Sequence, residues 1–312
     1  MRMTFGIHIG PQDATIQDLR RLWRFADESG FAWVSVWDHI YEAPPITGDS
    51  PTFEATSLMS AIAADTQKVR IGCLVHCMFY RNPAMLTKTL MTVEHLSGGR
   101  LEIGLGAGWH APEFTAYGYR FPPVKERMDA LEEGTRLVRQ LLTDERTTFD
   151  GAFYHAENAA LYPRPLQQRV PIWIGGQGEK RLLRIAARHT DGWNAPYISP
   201  EQYAHKSKVL DEWCEKEGRD PVTIARGVNL GFYMGATAAE GKRVKAKMEA
   251  QWGEAAATRG GGQLVGSPDE AVQRIGEYAD AGLRRLNIAF RPPIDWDALQ
   301  AFTEQVMPHY AA

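Results

Sequence analysis

Four histidines lie at or near the ends of predicted strands in the first half of the chain: His8, His39, His76 and His110. His39 directly follows Asp38. An imidazole titrates near neutral pH and a carboxylate beside it can fix its tautomer, so this pair is suited to proton transfer. A purely structural histidine, hydrogen-bonded to the rim of the fold, is the alternative interpretation of His39.

Four imidazoles gathered at one end of a barrel could instead ligate a metal ion, as in metal-dependent hydrolases. The segment GIHIGP has no His-x-His pair, and Asp191 is the one carboxylate near a strand end in the second half. These two observations make a metal site the weaker hypothesis, and we predict no metal ligands.

A cluster of glycines follows the strand PIWIGG, at Gly175, Gly176 and Gly178, with Gln177 between them. Without side chains, backbone N–H groups can approach an anion, and the helix that follows adds its free amides and the positive end of its dipole. The pattern is therefore typical of a phosphate site. Lys180 and Arg181 either add charge there or are simply solvated, and close packing of strand against helix explains the glycines equally well.

These residues must be positioned by a repeating order of strands and helices. Apolar patterning predicts strands at 3–9, 32–38, 68–75, 99–107, 171–176, 192–194, 222–234 and 284–290. It predicts helices at 15–29, 53–65, 84–96, 124–142, 178–188, 200–217, 238–251 and 296–306. Eight such units indicate a (β/α)8 TIM barrel in a single domain over 1–312, with insertions after strands 4 and 7, at 144–166 and 253–268.

Composition restricts the partners. The 312 residues carry a formal net charge of −3 without blocks of basic residues, which argues against nucleic acid and membrane surfaces and favours a small-molecule substrate. No apolar run approaches the length of a membrane span. The three cysteines (Cys73, Cys77 and Cys214) are too few for a disulfide framework, and the N-terminus MRMTFGIHIG enters a strand directly. We therefore expect a cytoplasmic protein.

Four segments of the chain resemble the luciferase-like monooxygenase superfamily, specifically its coenzyme F420-dependent oxidoreductase branch. They are VWDH (36–39), IGCLVHCMFYRNPAMLTKTLMTVEHLSGGR (71–100), the stretch from LEIGLGAGWH through RLVRQLL (101–142), and IWIGGQGEKRLLRIAARHTDGWN (172–194). The resemblance implies a barrel that holds a flavin or deazaflavin in its mouth, with the cofactor phosphate near Gly175 to Gly178, usually in a homodimer.

The same resemblance assigns roles to single residues. Asp38 and His39 fall on the pair that contacts the cofactor. Leu74 and Val75 match the place where the family bends strand 3 under the cofactor ring, often through a non-prolyl cis peptide, which we predict here. Ala107, Gly108, Trp109 and His110 end strand 4, where small residues admit a planar ring and Trp109 can form a wall of the pocket. We expect His39, Trp109 and His110 to be the catalytic residues.

Two departures from the family pattern bear on the direction of the reaction. The alcohol and sugar-phosphate dehydrogenases of the family carry a Trp four residues after the strand 2 His and a Glu at the end of strand 4, where this chain has Ala43 and Trp109. The acid that would protonate the cofactor is therefore missing, although Glu113 or Glu42 could replace it. This favours hydride delivery from reduced F420 to an acceptor, with His39 or His110 as the proton donor.

The choice of cofactor decides the chemistry. A 5-deazaflavin carries hydride, whereas reduced FMN can activate dioxygen. Flavin-dependent relatives often place an Arg at the end of strand 4, where this chain has Ala107, so F420 is favoured over FMN. An FMN-dependent monooxygenase, a metal-dependent hydrolase and a flavin-binding protein without turnover remain alternatives. Aromatic residues near the strand ends suggest an apolar, aromatic pocket for the substrate.

Overall fold

A closed barrel of parallel strands forms the centre of the molecule. The computed structural model describes residues 2–42, 48–253 and 260–311. In chain order the strands are β1 (Thr4–Ile9), β2 (Trp33–Val36), β3 (Arg70–Cys73), β4 (His76–Cys77), β5 (Leu101–Gly106), β6 (Thr147–Asp150), β7 (His155–Ala159), β8 (Ile172–Gly175), β9 (Gly192–Pro196), β10 (Ala225–Met234), β11 (Gln263–Gly266) and β12 (Arg285–Phe290).

The helices surround this sheet. They are α1 (Ile16–Glu28), α2 (Ala55–Asp65), α3 (Pro83–Leu96), α4 (Ala111–Ala116), α5 (Val124–Thr143), α6 (Leu182–His189), α7 (Pro200–Lys216), α8 (Ala238–Trp252), α9 (Pro268–Asp280) and α10 (Trp296–Ala301). Pairing runs β1-β2-β3-β5-β8-β9-β10-β12 and returns to β1, so these eight of the described strands close a parallel ring. The predicted (β/α)8 barrel is confirmed.

The helices form for the reasons that the sequence pattern indicates. In α1, Thr15 caps the first turn in a reciprocal capping box with Asp18, and Leu19, Leu22 and Trp23 are buried at helical spacing. Such helices bury one apolar stripe against the outside of the barrel, where most of the hydrophobic core lies. Within the described part of the chain, no helix combines the length and apolar character needed to cross a bilayer.

The prediction and the structure differ at three helices. The sequence analysis did not predict α9, although Ser267 and Glu270 form a capping box at its first turn. The short helix α4 was also missed. α6 begins at Leu182 rather than at 178, because the glycine segment before it turns without helical hydrogen bonds.

Both predicted insertions are present. After strand 4 of the barrel and its helix, β6 and β7 pair as an antiparallel hairpin. After strand 7, β11 pairs in parallel with the end of β10, from Gly231 opposite Gln263 to Met234 opposite Gly266. Residues 254–259 of this insertion, and residues 43–47 of the loop 40–51 with Ala43, lie outside the described residues.

An ion cluster fills the lower interior of the barrel. Glu102 on β5 accepts hydrogen bonds from Arg70 and from Arg285, the latter at 2.9 Å. The Arg285 guanidinium lies 3.7 Å from the ring centroid of Trp33 and 4.5 Å from that of Trp173. The charged groups and the two stacked indoles close the amino-terminal end of the barrel, which leaves the carboxyl end as the mouth.

Candidate active site

Glu113 is the carboxylate that orients His39. It lies on α4, its side chain is 1% exposed, and its Oε2 is 2.9 Å from Nδ1 of His39. It also accepts the backbone N–H groups of Ile40 at 2.9 Å and Tyr41 at 3.0 Å, and the Tyr80 hydroxyl at 3.0 Å. Burial opposes ionisation of Glu113, but these hydrogen bonds and the His39 charge hold its pKa below the ordinary value.

An ionised Glu113 can only accept hydrogen bonds, so Nδ1 of His39 must donate to it. In the neutral ring Nε2 is then the basic atom, and in the protonated ring it is the second donor. The sequence analysis offered Glu113 as a replacement for the acid that the related dehydrogenases carry at the end of strand 4. In the structure, Glu113 is instead the partner that fixes the tautomer of His39. Glu42, the other candidate, is buried and its Oε1 accepts the Gly48 N–H at 2.9 Å.

Asp38 does not orient His39, contrary to the interpretation of the pair from sequence. Its buried carboxylate accepts the guanidinium of Arg81 at 2.7 and 2.9 Å and the backbone N–H of Cys77 at 2.9 Å. Nδ1 of His76 lies 3.9 Å from it. Burial opposes ionisation of Asp38, yet His76 and Arg81 lower its pKa below the ordinary value. Asp38 therefore fixes the backbone after β3 beneath the mouth.

Three rings surround His39 at the mouth. The ring centroids of Trp37 and Trp109 both lie 5.4 Å from that of His39, and His110 lies at 6.4 Å. Trp109 is 61% exposed, so it stands beside the opening and not in the core. Burial, followed by the His39 charge, lowers the pKa of His110, against the raising effect of Glu113. His110 is thereby kept as a neutral ring near neutral pH.

The peptide between Leu74 and Val75 is cis, as predicted. Val75 lies between two glycines of neighbouring strands: a Cβ on Gly106 would come within 2.2 Å of its Cγ2, and one on Gly175 within 2.6 Å of its Cγ1. Only glycine leaves room for Val75 at both positions. Ala107 and Gly108 follow at the end of β5, where Gly108 has φ +71°. These residues line the mouth with backbone and small side chains.

The glycine bend after β8 presents bare backbone. Gly176 has φ +137°, and its carbonyl accepts the indole N–H of Trp193 at 2.8 Å. The five amide N–H groups from Gln177 to Arg181 donate to no acceptor among the residues that the structure describes. Such a row of free amides is what an anion requires. Gln177 itself anchors the bend, because its side-chain amide donates to the Pro196 carbonyl at 2.6 Å.

A lysine that the sequence did not single out lies at this bend, where it is paired with Glu179. Nζ of Lys206, on α7, lies 3.0 Å from the Gln177 carbonyl and 2.7 Å from Glu179. Arg181, which was considered as a source of charge here, instead pairs with Asp129 on α5 at 2.5 Å. No sequence signal marks Lys206, since it lies about thirty residues after the bend and reaches it only through the packing of α7.

The four histidines do not form one cluster, although His39 and His110 are neighbours. No group of three or more His, Cys, Asp or Glu side chains in the described ranges is placed to hold a metal ion. His8 is buried and its Nδ1 lies 2.9 Å from the Ser35 hydroxyl. Burial, followed by the charges of His39 and Arg291, lowers the pKa of His8 to about 3. His8 is therefore neutral.

In the part of the chain that the structure describes, a cavity lies at each end of the barrel. One of about 740 Å³ opens at the amino-terminal end, beside Arg2, Tyr203 and Arg284. Another of about 140 Å³ lies at the carboxyl end, beside Tyr197, Tyr233 and Arg291. Catalytic groups of (β/α)8 barrels occupy the carboxyl end, where His39 also lies, so the smaller cavity opens at the same end as the candidate active site.

Comparison with known proteins identifies the family of this chain. The family model described as luciferase-like monooxygenase matches residues 3–263. The chain belongs to the luciferase-like monooxygenase family. It is 30% identical to an F420-dependent glucose-6-phosphate dehydrogenase of Microbacterium testaceum over 308 residues, which cover 91% of this chain and 90% of that protein.

Solved structures of the luciferase-like fold superpose along the whole chain. An F420-dependent secondary alcohol dehydrogenase in complex with an F420–acetone adduct has a TM-score of 0.85 at 21% identity, with 99% of both chains covered. A monooxygenase from Streptomyces bottropensis has a TM-score of 0.81 at 22% identity, with 99% of this chain and 100% of that one covered. These similarities establish the fold, and the family membership establishes that the chain is an enzyme.

Proposed function

We propose that the chain is a coenzyme F420-dependent oxidoreductase that transfers hydride between the deazaflavin and a small organic substrate. The observation that carries this proposal is the His39–Glu113 pair at the mouth, together with bare amides at the glycine bend. The relative from Microbacterium testaceum, similar over nine tenths of both chains, is F420-dependent and supports the same cofactor. When bound, F420 supplies or accepts the hydride at its ring carbon 5.

The residues of the mouth fit a planar ring with an acidic tail. Val75, on its cis peptide between two glycines, would support the ring, with Ala107 and Gly108 beside it. The free amides after Gly176 and the ammonium of Lys206 would hold the phosphate. A Cβ on Gly176 would approach Leu182 Cδ1 to 2.7 Å, so the bend keeps its shape only with glycine there.

We infer that the reductase direction is the working one. Reduction of an acceptor needs a proton besides the hydride, and Nε2 of His39 can give it while Glu113 stabilises the ring through Nδ1. Oxidation of an alcohol in the manner of the related dehydrogenases uses an acid at the end of strand 4, where this chain has Trp109. Glu113 cannot take that role, because its pKa lies below the ordinary value and it is ionised at neutral pH.

Fluorescence titration of the purified protein with F420 and with FMN tests the cofactor. We expect micromolar binding of F420 and weaker binding of FMN. Micromolar affinity for FMN with none for F420 would reverse the assignment in favour of a flavin-dependent monooxygenase.

A second experiment tests His39. We expect His39→Asn, measured at saturating F420, to reduce turnover of reduced F420 with an acceptor by about a hundredfold or more, because it removes a proton donor. His155→Asn, at an exposed position in the β6–β7 hairpin, is the matched variant and should retain the wild-type turnover. Equal losses in both variants would count against His39 as the proton donor.

A further inference from the structure

The larger cavity, at the amino-terminal end of the barrel, takes no part in the proposed hydride transfer. Its volume is about 740 Å³, in the range of small-molecule sites. Helix α7 and the chain segments that enter β1, β10 and β12 form its walls. Because His39 and the glycine bend lie at the carboxyl end, a molecule bound here would be neither the substrate nor the cofactor.

The cavity carries an excess of positive charge. Its charged lining residues are four arginines and one carboxylate, namely Arg2, Arg226, Arg284, Arg285 and Asp211. Asp211 pairs with Arg226, and Arg285 belongs to the ion cluster described above. Arg2 and Arg284 form no ion pair with a carboxylate in the described ranges, so two guanidinium charges remain uncompensated.

Strand pairing brings three of these arginines to one edge of the barrel. Arg284 directly precedes β12, and the register of β10 with β12 places Arg226 opposite it, one position before their first paired residues. The N–H of Thr4, the first residue of β1, donates to the Arg284 carbonyl at 2.9 Å. Arg2 lies two residues before Thr4. The positive charge is therefore concentrated where β1, β10 and β12 begin.

Several donors of the cavity lack an acceptor among the described residues. Nη1 of Arg284 donates to the carbonyls of Ala279 at 3.1 Å and Leu283 at 2.6 Å, which leaves its Nε and Nη2 without an acceptor there. Nη2 of Arg285 is buried and has no hydrogen-bond partner, and neither has the buried hydroxyl of Ser207 on α7. Because a buried polar group without a partner is costly, a ligand that accepts from these groups gains affinity.

We propose that this cavity binds a small molecule that carries a phosphate group. A phosphate monoester bears a charge of about −1.5 to −2 near pH 7, which matches the two uncompensated guanidinium groups, whereas a carboxylate would leave one of them unbalanced. The planar guanidinium also donates to phosphate oxygens in pairs. Pro221 and Val222, the latter 83% exposed, offer an apolar surface to the rest of the molecule.

The ligand stabilises the barrel and does not react. Arg285 joins the cavity to the ion cluster with Arg70 and Glu102, which closes the amino-terminal end. A phosphate beside Arg285 adds negative charge where two guanidinium groups share one carboxylate. Since a ligand that binds only the folded chain raises its stability, occupancy of this cavity stabilises the fold at a distance from the active site.

Isothermal titration calorimetry on the full chain tests the inference, at a constant ionic strength of about 0.15 M. Phenyl phosphate is the probe, and benzoate presents the same ring with a single charge. We expect phenyl phosphate to bind about tenfold or more tightly than benzoate, with the same affinity in the presence and absence of F420. Phenyl phosphate should also raise the midpoint of urea unfolding.

Variants of the lining arginines locate the site. Arg284→Gln should weaken phenyl phosphate by about tenfold or more and remove its effect on urea unfolding, because a charge-assisted hydrogen bond is lost, and Arg284→Lys should recover part of the affinity. Arg2→Gln changes an exposed residue and should also weaken the probe, so it keeps the test decisive if Arg284→Gln does not fold. Arg243→Gln removes an arginine that is 75% exposed on α8, which matches the change in net charge, and should behave as the wild-type protein.

Three results would overturn the inference: phenyl phosphate that binds no more tightly than benzoate, an affinity that survives in both Arg2→Gln and Arg284→Gln, or an equal loss in Arg243→Gln. Loss of the probe on saturation with F420 would also overturn it, since phenyl phosphate would then occupy the mouth. Failure of the proposed function is seen separately, as absence of F420 binding to the wild-type protein, and it leaves the comparison of the arginine variants in force.

Discussion

A residue that is distant in the sequence, Glu113, determines which ring nitrogen of His39 is the basic one. Glu113 accepts from Nδ1, so Nε2 is the other nitrogen of the ring and the atom of the proposed proton transfer, and the negative charge of Glu113 is maintained by two backbone N–H groups and a tyrosine hydroxyl. The immediate neighbour of His39, Asp38, is committed to Arg81. Adjacency in sequence therefore misled the assignment of the carboxylate, because consecutive residues at a strand end point in different directions.

Replacing the orienting carboxylate tests this arrangement. Glu113→Gln keeps the size of the side chain but removes the charge that stabilises a protonated His39, so we expect turnover to fall about 10- to 100-fold with F420 affinity unchanged. The pH profile of kcat/KM should also shift. Tyr80→Phe removes one donor to Glu113 and leaves the carboxylate, and it should cost much less. Wild-type turnover and an unshifted profile in Glu113→Gln would refute the orienting role.

His8 predicts a pH dependence of stability. Burial first, then the charges of His39 and Arg291, lower its pKa to about 3. The unfolded chain takes up a proton on this ring below about pH 6.5, whereas the folded chain does not until about pH 3, so stability falls as the pH drops through this window.

We therefore expect His8→Asn to lose less stability than the wild-type protein between pH 7 and about pH 5, measured as the midpoint of urea unfolding. His155→Asn, at an exposed position in the β6–β7 hairpin, is the control and should follow the wild-type curve. An identical pH dependence in His8→Asn and the wild-type protein would show that His8 does not carry this effect.

Strands and helices are predicted best from the sequence where the apolar pattern lies within one element. Strand and helix periods predicted all eight barrel strands and the described helices other than α4 and α9. The predicted start of α6 was wrong because the Leu183 N–H bonds to the Gly178 carbonyl, five residues back, so the chain forms a turn there before the helix begins. Lys206 was not singled out, since it reaches the glycine bend only through the packing of α7.

Gly176 and Gly178 differ in the space around them, so alanine substitutions at these two positions form a matched pair of variants. Gly176→Ala places a Cβ 2.7 Å from Leu182 in a region that only glycine occupies readily, so we expect a loss of about 1–3 kcal/mol in the free energy of unfolding and weaker F420 binding. Gly178→Ala meets Leu182 at 3.5 Å, an ordinary contact, and should change stability by at most about 0.5 kcal/mol. Urea unfolding distinguishes the two, and equal losses would contradict the prediction.

At the scale of the whole molecule, the buried ion cluster lies at one end of the barrel and the candidate active site lies at the other. The lower interior holds Glu102 between Arg70 and Arg285, closed by two indoles, while the histidines, the glycine bend and the smaller cavity lie at the upper end. This division follows from the direction of parallel strands, whose carboxyl ends meet at one face. It was predictable from the strand and helix order alone.

Breaking the lower cluster should therefore destabilise the protein without changing cofactor binding. Glu102→Gln leaves two guanidinium groups without their carboxylate, at an expected loss of about 3 kcal/mol in the free energy of unfolding. F420 affinity should stay at the wild-type value under native conditions. Glu157→Gln, at an exposed position on β7, is the control and should leave both quantities unchanged. A weakened F420 affinity in Glu102→Gln would argue that the two ends are coupled.

β11 has a consequence for how enzymes of this architecture diversify. This strand lies outside the closed ring of eight and pairs with β10 alone, yet it contributes Gln263 to the cavity beside Arg291. Exchanging the segment that contains it would alter the lining of this cavity and leave every pairing within the ring in place. Substitutions in β11 can therefore change the cavity without changing the barrel, so this strand is a suitable starting point for directed evolution.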